Sequence, residues 1–317
     1  MAHLARDRPA PARVPFAGGG VSAIIAAMSG RAVLRFAPSP NGELHLGHAL
    51  SALIGFEEAR ACGGRFLLRI EDIDAARTRA EFVSGIFADL TWLGVVWEEP
   101  VVFQSRRTQA YRQAAERLMA MGLLYPCFAT RRRIEAAACG ARDPDGAPLY
   151  VGPSEDPSAN ELARRQAAGK PFALRLRIGE AIAVAAAKLA GRPLSFRELD
   201  EAGRGHDVLA RPERWGDAII VRKDVPASYH LAVVVDDAWQ GVTRVSRGRD
   251  LYASTDMHRL LQVLLDLPAP LYRHHRLIID AMGRKLAKSA RSTSLSSLRA
   301  EGLTPNDIRR LIGLPEA

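Results

Sequence analysis

Apolar positions along this chain follow two periods, and the places where one gives way to the other mark its elements. Arg31 to Phe36 is a short apolar run of the kind a buried strand carries. It breaks at Pro38-Ser-Pro40-Asn-Gly42, a cluster that continues neither strand nor helix. From His45 a helical period takes over, with Leu46, Ala49, Leu50 and Leu53 on one face. Arg65 to Ile70 reads as a second strand, closed by the acidic turn Glu71-Asp-Ile-Asp74. An amphipathic helix starts near Thr108, with Tyr111, Ala114, Ala115 and Leu118 on one side. Strand, helix, strand, helix predicts an α/β fold with a parallel sheet covered on both faces.

Between Pro126 and about Arg211 the pattern lapses. Arg131-Arg132-Arg133, Asp143-Pro-Asp-Gly146 and Pro153-Ser-Glu-Asp-Pro157 predict a loop-rich insertion. Within it, Ala173 to Ile178 alternates apolar residues with Arg, as a half-exposed strand does. Parallel-sheet strands are expected again at Asp217 to Arg222 and His230 to Asp236. A helix follows from Ser254, its hydroxyl a candidate cap, with Met257, Leu260, Leu261 and Leu264 inward, and Pro268 and Pro270 end it. Leu277-Ile-Ile-Asp280, a basic loop and a short helix complete the chain. Thr304 is the expected N-cap of that helix, with Pro305 and Asp307 in its first turn. The expected division is 1–29, 30–125, 126–211, 212–270 and 271–317: an extension, the first half of a catalytic domain, the insertion, the second half, and a signature-loop and helical segment. In the extension, Arg6, Arg8 and Arg13 precede an apolar stretch from Val21 to Met28. That stretch is short and Gly18 to Gly20 interrupts its approach, so it reads as a disordered tail rather than a signal peptide.

Composition narrows the class. The 317 residues are 48% hydrophobic and 25% charged, ordinary values for a globular protein. No run approaches the ~18–20 apolar residues of a membrane-spanning helix. The net charge of +9 suits a polyanionic partner such as nucleic acid. Three cysteines, Cys62, Cys127 and Cys139, are too few for a disulfide scaffold and fit a reducing, cytoplasmic setting.

Two stretches carry chemistry. The first runs from Arg35-Phe-Ala-Pro-Ser39 to His45-Leu-Gly-His48. A strand leaving through a Pro/Gly turn into a helix builds an anion site, because unpaired N–H groups and the helix dipole both favour phosphate. His45 and His48 share a face and can donate to phosphate oxygens, while Gly47 lets a flat ring approach closely. The second is Lys285-Leu-Ala-Lys288-Ser289, a cationic loop suited to a polyphosphate transition state. Taken separately, the first also reads as a metal pair or two surface histidines, and the second as a solvated basic loop.

Together these motifs resemble the two signatures of class I aminoacyl-tRNA synthetases, with Leu286 and Ala287 departing from the second. The chain is similar in particular to the glutamyl branch, through Arg35 to Ser39, Leu68-Arg-Ile-Glu-Asp-Ile-Asp74 with Arg77, Trp92 to Gly94, Gln104 to Arg106, Tyr229-His-Leu-Ala232, Val235 to Asp237, Gly241 to Thr243 and Arg247. The resemblance implies a Rossmann-type catalytic domain, with ATP as a substrate, Mg2+ on its phosphates, and His45, Gly47, His48, Lys285 and Lys288 around it. The chain stops at Ala317, soon after the second signature. No room is then expected for an anticodon-binding domain, a pattern similar to glutamyl-queuosine tRNA(Asp) synthetases. That likeness implies a monomer using L-glutamate, ATP and queuosine-bearing tRNA(Asp).

Glutamate has two carboxylates and an ammonium, so its site needs cationic groups and one anion. Arg35 and Arg247 can each bind a carboxylate, Glu71 can hold the ammonium, and Tyr229 offers a wall with a polar tip. The family lines this pocket with the segment Arg35, Phe36, Ala37, Pro38 and Ser39, completed by Glu71, Tyr229 and Arg247. Asp237 is a weaker candidate, read as an acidic residue at the end of a strand. Many relatives carry a structural zinc; here Cys127 and Tyr150 remain, while Ala129 and Ser154 fill the other two ligand positions. Two ligands cannot close a tetrahedral site, so no zinc is expected.

Overall fold

The computed structural model describes residues 31–152, 158–278 and 293–316. The 1–29 extension therefore lies outside the described residues. In chain order the elements are β1 (Val33–Phe36), α1 (Leu46–Ala61), β2 (Arg65–Ile70), α2 (Ala80–Trp92), β3 (Glu98–Phe103), α3 (Thr108–Ala120), β4 (Leu124–Cys127), α4 (Arg131–Ala138), α5 (Ala159–Ala167), β5 (Ala173–Leu176) and α6 (Ile178–Leu189). They continue as β6 (Ser195–Leu199), β7 (Gly205–Leu209), β8 (Ile219–Val221), α7 (Tyr229–Trp239), β9 (Arg244–Gly248), α8 (Ser254–Leu264), β10 (Leu271–His275), α9 (Leu295–Ala300) and α10 (Pro305–Leu311).

β1, β2 and β3 form a parallel sheet in that order. A second sheet runs β7-β6-β10-β9, parallel except for β7 at its edge. The two meet where Thr243, just before β9, donates its N–H to the Val33 carbonyl at 3.0 Å. Val33 donates back to the Thr243 hydroxyl at 2.9 Å. With their starts joined, β1 and β9 run out side by side, and their carboxyl ends open on one cleft. A crevice beyond the carboxyl ends of neighbouring parallel strands is where open α/β sheets bind ligands. One apolar core packs β1 and β2 against α1, α2 and α10 through Leu34, Leu50, Ile70, Leu90 and Ile308. A second gathers α3, α6, α7 and α8 around Tyr111, Leu118, Ala181, Leu231 and Leu260. Among the described residues no helix is long and apolar enough to cross a membrane.

Four local expectations are corrected. His230 to Asp236 is helix, inside α7, with His230, Leu231, Ala232, Val233, Val234, Asp236 and Asp237 all buried. A helix enclosed on every side has no polar face, so its apolar run imitates a strand. The Ser228 hydroxyl caps it, accepting from the Leu231 N–H at 3.4 Å. Second, Asp217 to Arg222 contributes β8 to a separate antiparallel sheet, β4-β5-β8. Third, the loop-rich insertion also carries regular elements the sequence pattern does not announce. It holds α6, an Ala-rich helix burying Ala181, Ala185 and Leu189, and sends β6 into the second sheet, beside β10. Its Arg175 is not half-exposed but buried, donating to the Asp217 carbonyl at 2.6 Å. Fourth, Ala253, not Ser254, occupies the N-cap of α8, with no side-chain cap. At α10 the expected cap is present in full: the Thr304 hydroxyl accepts from the Asp307 N–H, and Asp307 reaches back to the Thr304 N–H.

Candidate active site

The cleft has a volume of about 570 Å3, within the usual range for small-ligand sites. Its walls include Arg35, Phe36, Ala37, Pro38 and Ser39 leaving β1, His45, Gly47 and His48 opening α1, then Glu71, Tyr229 and Arg247. Every one of these sequence-assigned residues is therefore brought to one place. Lys285 and Lys288 lie outside the described residues.

The histidine turn is held by its own backbone. His45 is the N-cap of α1, and its Nδ1 accepts from the Gly47 N–H at 3.1 Å. His48 Nδ1 accepts from the His45 N–H at 3.2 Å. Histidines thus play both parts of a capping box, with ring centroids 3.9 Å apart. Burial lowers the pKa of His48 to about 3, with His45 adding to the effect. Burial also lowers that of His45, against the pull of Asp250. Both rings are neutral at pH 7 with Nδ1 committed as acceptor, so each carries its proton on Nε2 as a donor. The flat ring for which Gly47 makes room includes that of His45: a Cβ at Gly47 would stand 3.0 Å from His45 Cε1.

Arg35 stands one residue before the end of β1, the neighbouring strand β2 contributes Arg69, and both guanidinium groups meet α7. Arg35 Nε donates to Asp237 Oδ1 at 2.9 Å and its Nη2 to Oδ2 at 3.3 Å. Arg69 is completely buried; its Nη1 donates to Asp237 Oδ1 at 2.7 Å and its Nη2 to Glu71 Oε1 at 3.2 Å. Asp237 is thus no strand-end cap but the shared counter-charge of two arginines, which hold its carboxyl below the usual range despite burial. Arg35 Nη1 has no hydrogen bond among the described residues, which leaves one donor edge for a ligand. Burial raises the pKa of Glu71, against the pull of Arg69 and Arg35.

Arg247 has a different neighbourhood. It is 4% exposed, and its partners are neutral: His274 Nε2 at 3.1 Å, the Tyr229 hydroxyl at 3.2 Å, His258 Nδ1 at 3.2 Å and Thr255 Oγ1 at 2.7 Å. Burial, then Arg247 itself, pushes the His258 pKa well down, which keeps that imidazole an acceptor. No carboxylate among the described residues lies within ion-pair distance of Arg247. A buried guanidinium without a counter-ion is costly unless a ligand provides one.

His258, His274, Thr255, Arg69 and Asp237 are parts of the site that sequence reading missed or undervalued. The available signal was Arg69: an arginine inside the otherwise apolar strand Arg65 to Ile70 must find buried carboxylates.

Cys127 and Tyr150 do meet, in a small apolar cluster with Tyr125, Ala129 and Ile134. The Tyr150 and Cys127 side chains pack together there, and the Arg175 guanidinium lies 4.6 Å from the Tyr150 ring centroid. Cys139 is exposed, its Sγ turned to the Ala136 carbonyl. Ser154 lies outside the described residues. One thiol under a stacked guanidinium does not fit tetrahedral zinc, and no group of three potential ligands occurs among the described residues.

Residues 31–314 match the family of class I tRNA synthetases (E and Q), catalytic domain. The chain is 47% identical to a glutamyl-Q tRNA(Asp) synthetase of Rhodobacter capsulatus, over 89% of this chain and 100% of that protein. It is 41% identical to one from Nocardia farcinica, over 89% and 85%. A glutamate–tRNA ligase of Synechococcus is 35% identical, and of that longer protein the chain spans 57%. Among solved structures, a glutamate–tRNA synthetase from Elizabethkingia anophelis superposes with a TM-score of 0.68 at 24% identity, covering 87% of this chain and 60% of that one, which shows the shared fold. By sequence match over nearly all the described residues, the chain belongs to the class I tRNA synthetases (E and Q).

Proposed function

We propose that this chain activates L-glutamate with ATP and transfers the glutamyl group to the queuosine base of tRNA(Asp). Arg247 is the observation that carries the reading: a buried guanidinium at the cleft whose partners among the described residues are all neutral. That site lacks one carboxylate, which a dicarboxylic amino acid supplies. The free edge of Arg35 receives the second, and Glu71 receives the ammonium. The names borne by the relatives from Rhodobacter and Nocardia support the choice of amino acid and acceptor.

In the first step a carboxylate oxygen of glutamate attacks the α-phosphorus of ATP, and the bond to the β-phosphate breaks to release pyrophosphate. No side-chain nucleophile is needed; position and charge stabilisation suffice. His45 and His48 donate from Nε2 to the phosphate oxygens, and Lys285 and Lys288 are read as the cations facing them. Mg2+ would be held mainly by those phosphates, where it would neutralise part of their charge. In the second step a hydroxyl of the queuosine cyclopentenediol attacks the adenylate carbonyl and AMP leaves. The chain is read as a monomer acting in the cytoplasm.

ATP–pyrophosphate exchange tests the first step. Exchange is expected with glutamate and not with glutamine or aspartate. Equal exchange with glutamine would remove the dicarboxylate argument.

A further inference from the structure

Behind one of the neutral acceptors around Arg247 stands a carboxylate. His274 lies opposite Arg247 in the parallel β9–β10 pair, and its Nε2 accepts from Arg247 Nε at 3.1 Å. On its other side, His274 Nδ1 faces the two carboxylate oxygens of Glu198 at 3.0 and 2.9 Å. The His274 main-chain N–H also donates to Glu198, at 3.0 Å. The imidazole is 1% exposed and the carboxylate 10%. An imidazole that accepts at Nε2 carries its proton on Nδ1, where Glu198 receives it. Thr255 closes the arrangement: its Oγ1 accepts from Arg247 Nη2 at 2.7 Å and lies 3.2 Å from the same His274 Nε2.

We infer that Glu198 and His274 are positioning residues for the amino-acid site: the carboxylate fixes the imidazole tautomer, and the imidazole fixes the orientation of the Arg247 guanidinium. The inference rests on Arg247 being the receptor for a glutamate carboxylate. Placing the counter-charge one imidazole away has a physical use. It is near enough to lower the cost of burying a guanidinium, yet it leaves the arginine's positive charge without a carboxylate in direct contact, to be matched by that of a ligand. Asp237 shows the contrary arrangement, since it sets a carboxylate in direct contact with the Arg35 guanidinium. Glu198 comes from β6, which places a strand of the inserted segment directly behind the amino-acid site.

His274→Leu, His274→Gln and Glu198→Gln test this in the full chain, by glutamate-dependent pyrophosphate exchange and by calorimetric titration with glutamate alone. His274→Leu is expected to raise the glutamate KM and Kd about 10- to 100-fold with the ATP KM unchanged. His274→Gln, whose amide oxygen can accept from Arg247 Nε, is expected to recover most of that loss. Glu198→Gln is expected to fall between the two. Glutamate affinity unchanged in His274→Leu, or glutamate and ATP KM rising together with a lowered melting temperature, overturns the inference. Absence of glutamate-dependent exchange in the unaltered chain overturns the parent reading instead, and is distinguished by that control.

Discussion

Arg35 and Asp237 meet edge to edge across the seam between β1 and α7, Nε to Oδ1 at 2.9 Å and Nη2 to Oδ2 at 3.3 Å. The same carboxylate takes Arg69 Nη1 at 2.7 Å, so two buried cations share it, with Glu71 at 3.2 Å from Arg69 Nη2 as the second anion. Asp237→Asn takes the ion-pair partner from Arg35 and one of several from Arg69. It is expected to lower stability by about 3–5 kcal/mol in denaturant unfolding. A loss below 1 kcal/mol would show that Glu71 and Asp236 balance the arginines without it.

Arg247→Met should separate folding from function. The arginine has no ion-pair partner among the described residues, so an apolar chain of similar length removes a buried charge but leaves the His274 and His258 acceptors unpaired, and stability is expected to fall by no more than about 1–3 kcal/mol. The glutamate KM is expected to rise at least 100-fold, about 2.7 kcal/mol or more. A large loss of stability with a small change in KM contradicts the assignment.

Gly47→Ala places a methyl 3.0 Å from His45 Cε1 and 3.1 Å from Nδ1. The imidazole must shift, and with it the donor it presents to phosphate. A decrease of about 10- to 100-fold in kcat/KM for ATP is expected, or ~1.4–2.8 kcal/mol, with the fold kept. Unchanged steady-state kinetics would remove His45 from the phosphate site.

Acid should destabilise the protein well above the carboxylate range. Burial lowers His48 to about 3 and His230 to about 4, and lowers His258, His274, His45 and His275 as well, from an ordinary 6.5. Below pH 6.5 the unfolded chain takes up protons that the folded one refuses, so this stability is whole above 6.5 and is lost as pH falls towards the folded values. At pH 5, His48 and His230 each account for roughly 2 kcal/mol. Thermal melts at several pH values check the slope; a flat melting temperature between pH 7.5 and 5 contradicts it.

The sequence was most legible where one face of an element meets solvent. The helix from Thr108 buries the four residues its period predicted, and the strand Arg65–Ile70 has the expected bounds. It was least legible where an element is wholly enclosed. α7 has no polar face to betray its period, so its pattern sets Asp237 at a strand end and gives no sign of the pairing with Arg35. The α6 helix was overlooked because its alanines give too little contrast between buried and exposed positions. Site residues carried by contiguous motifs, such as His45 to His48, were readable. Those set by packing between distant strands, such as Glu198 behind His274, were not.

The acceptor of the glutamyl group decides the account as a whole. Queuosine-bearing tRNA(Asp) incubated with the protein, ATP and isotopically labelled glutamate can be digested to nucleosides and weighed by mass spectrometry. The label is predicted on the queuosine nucleoside. Label recovered only on the terminal adenosine, or on no nucleoside while pyrophosphate exchange proceeds, would contradict it.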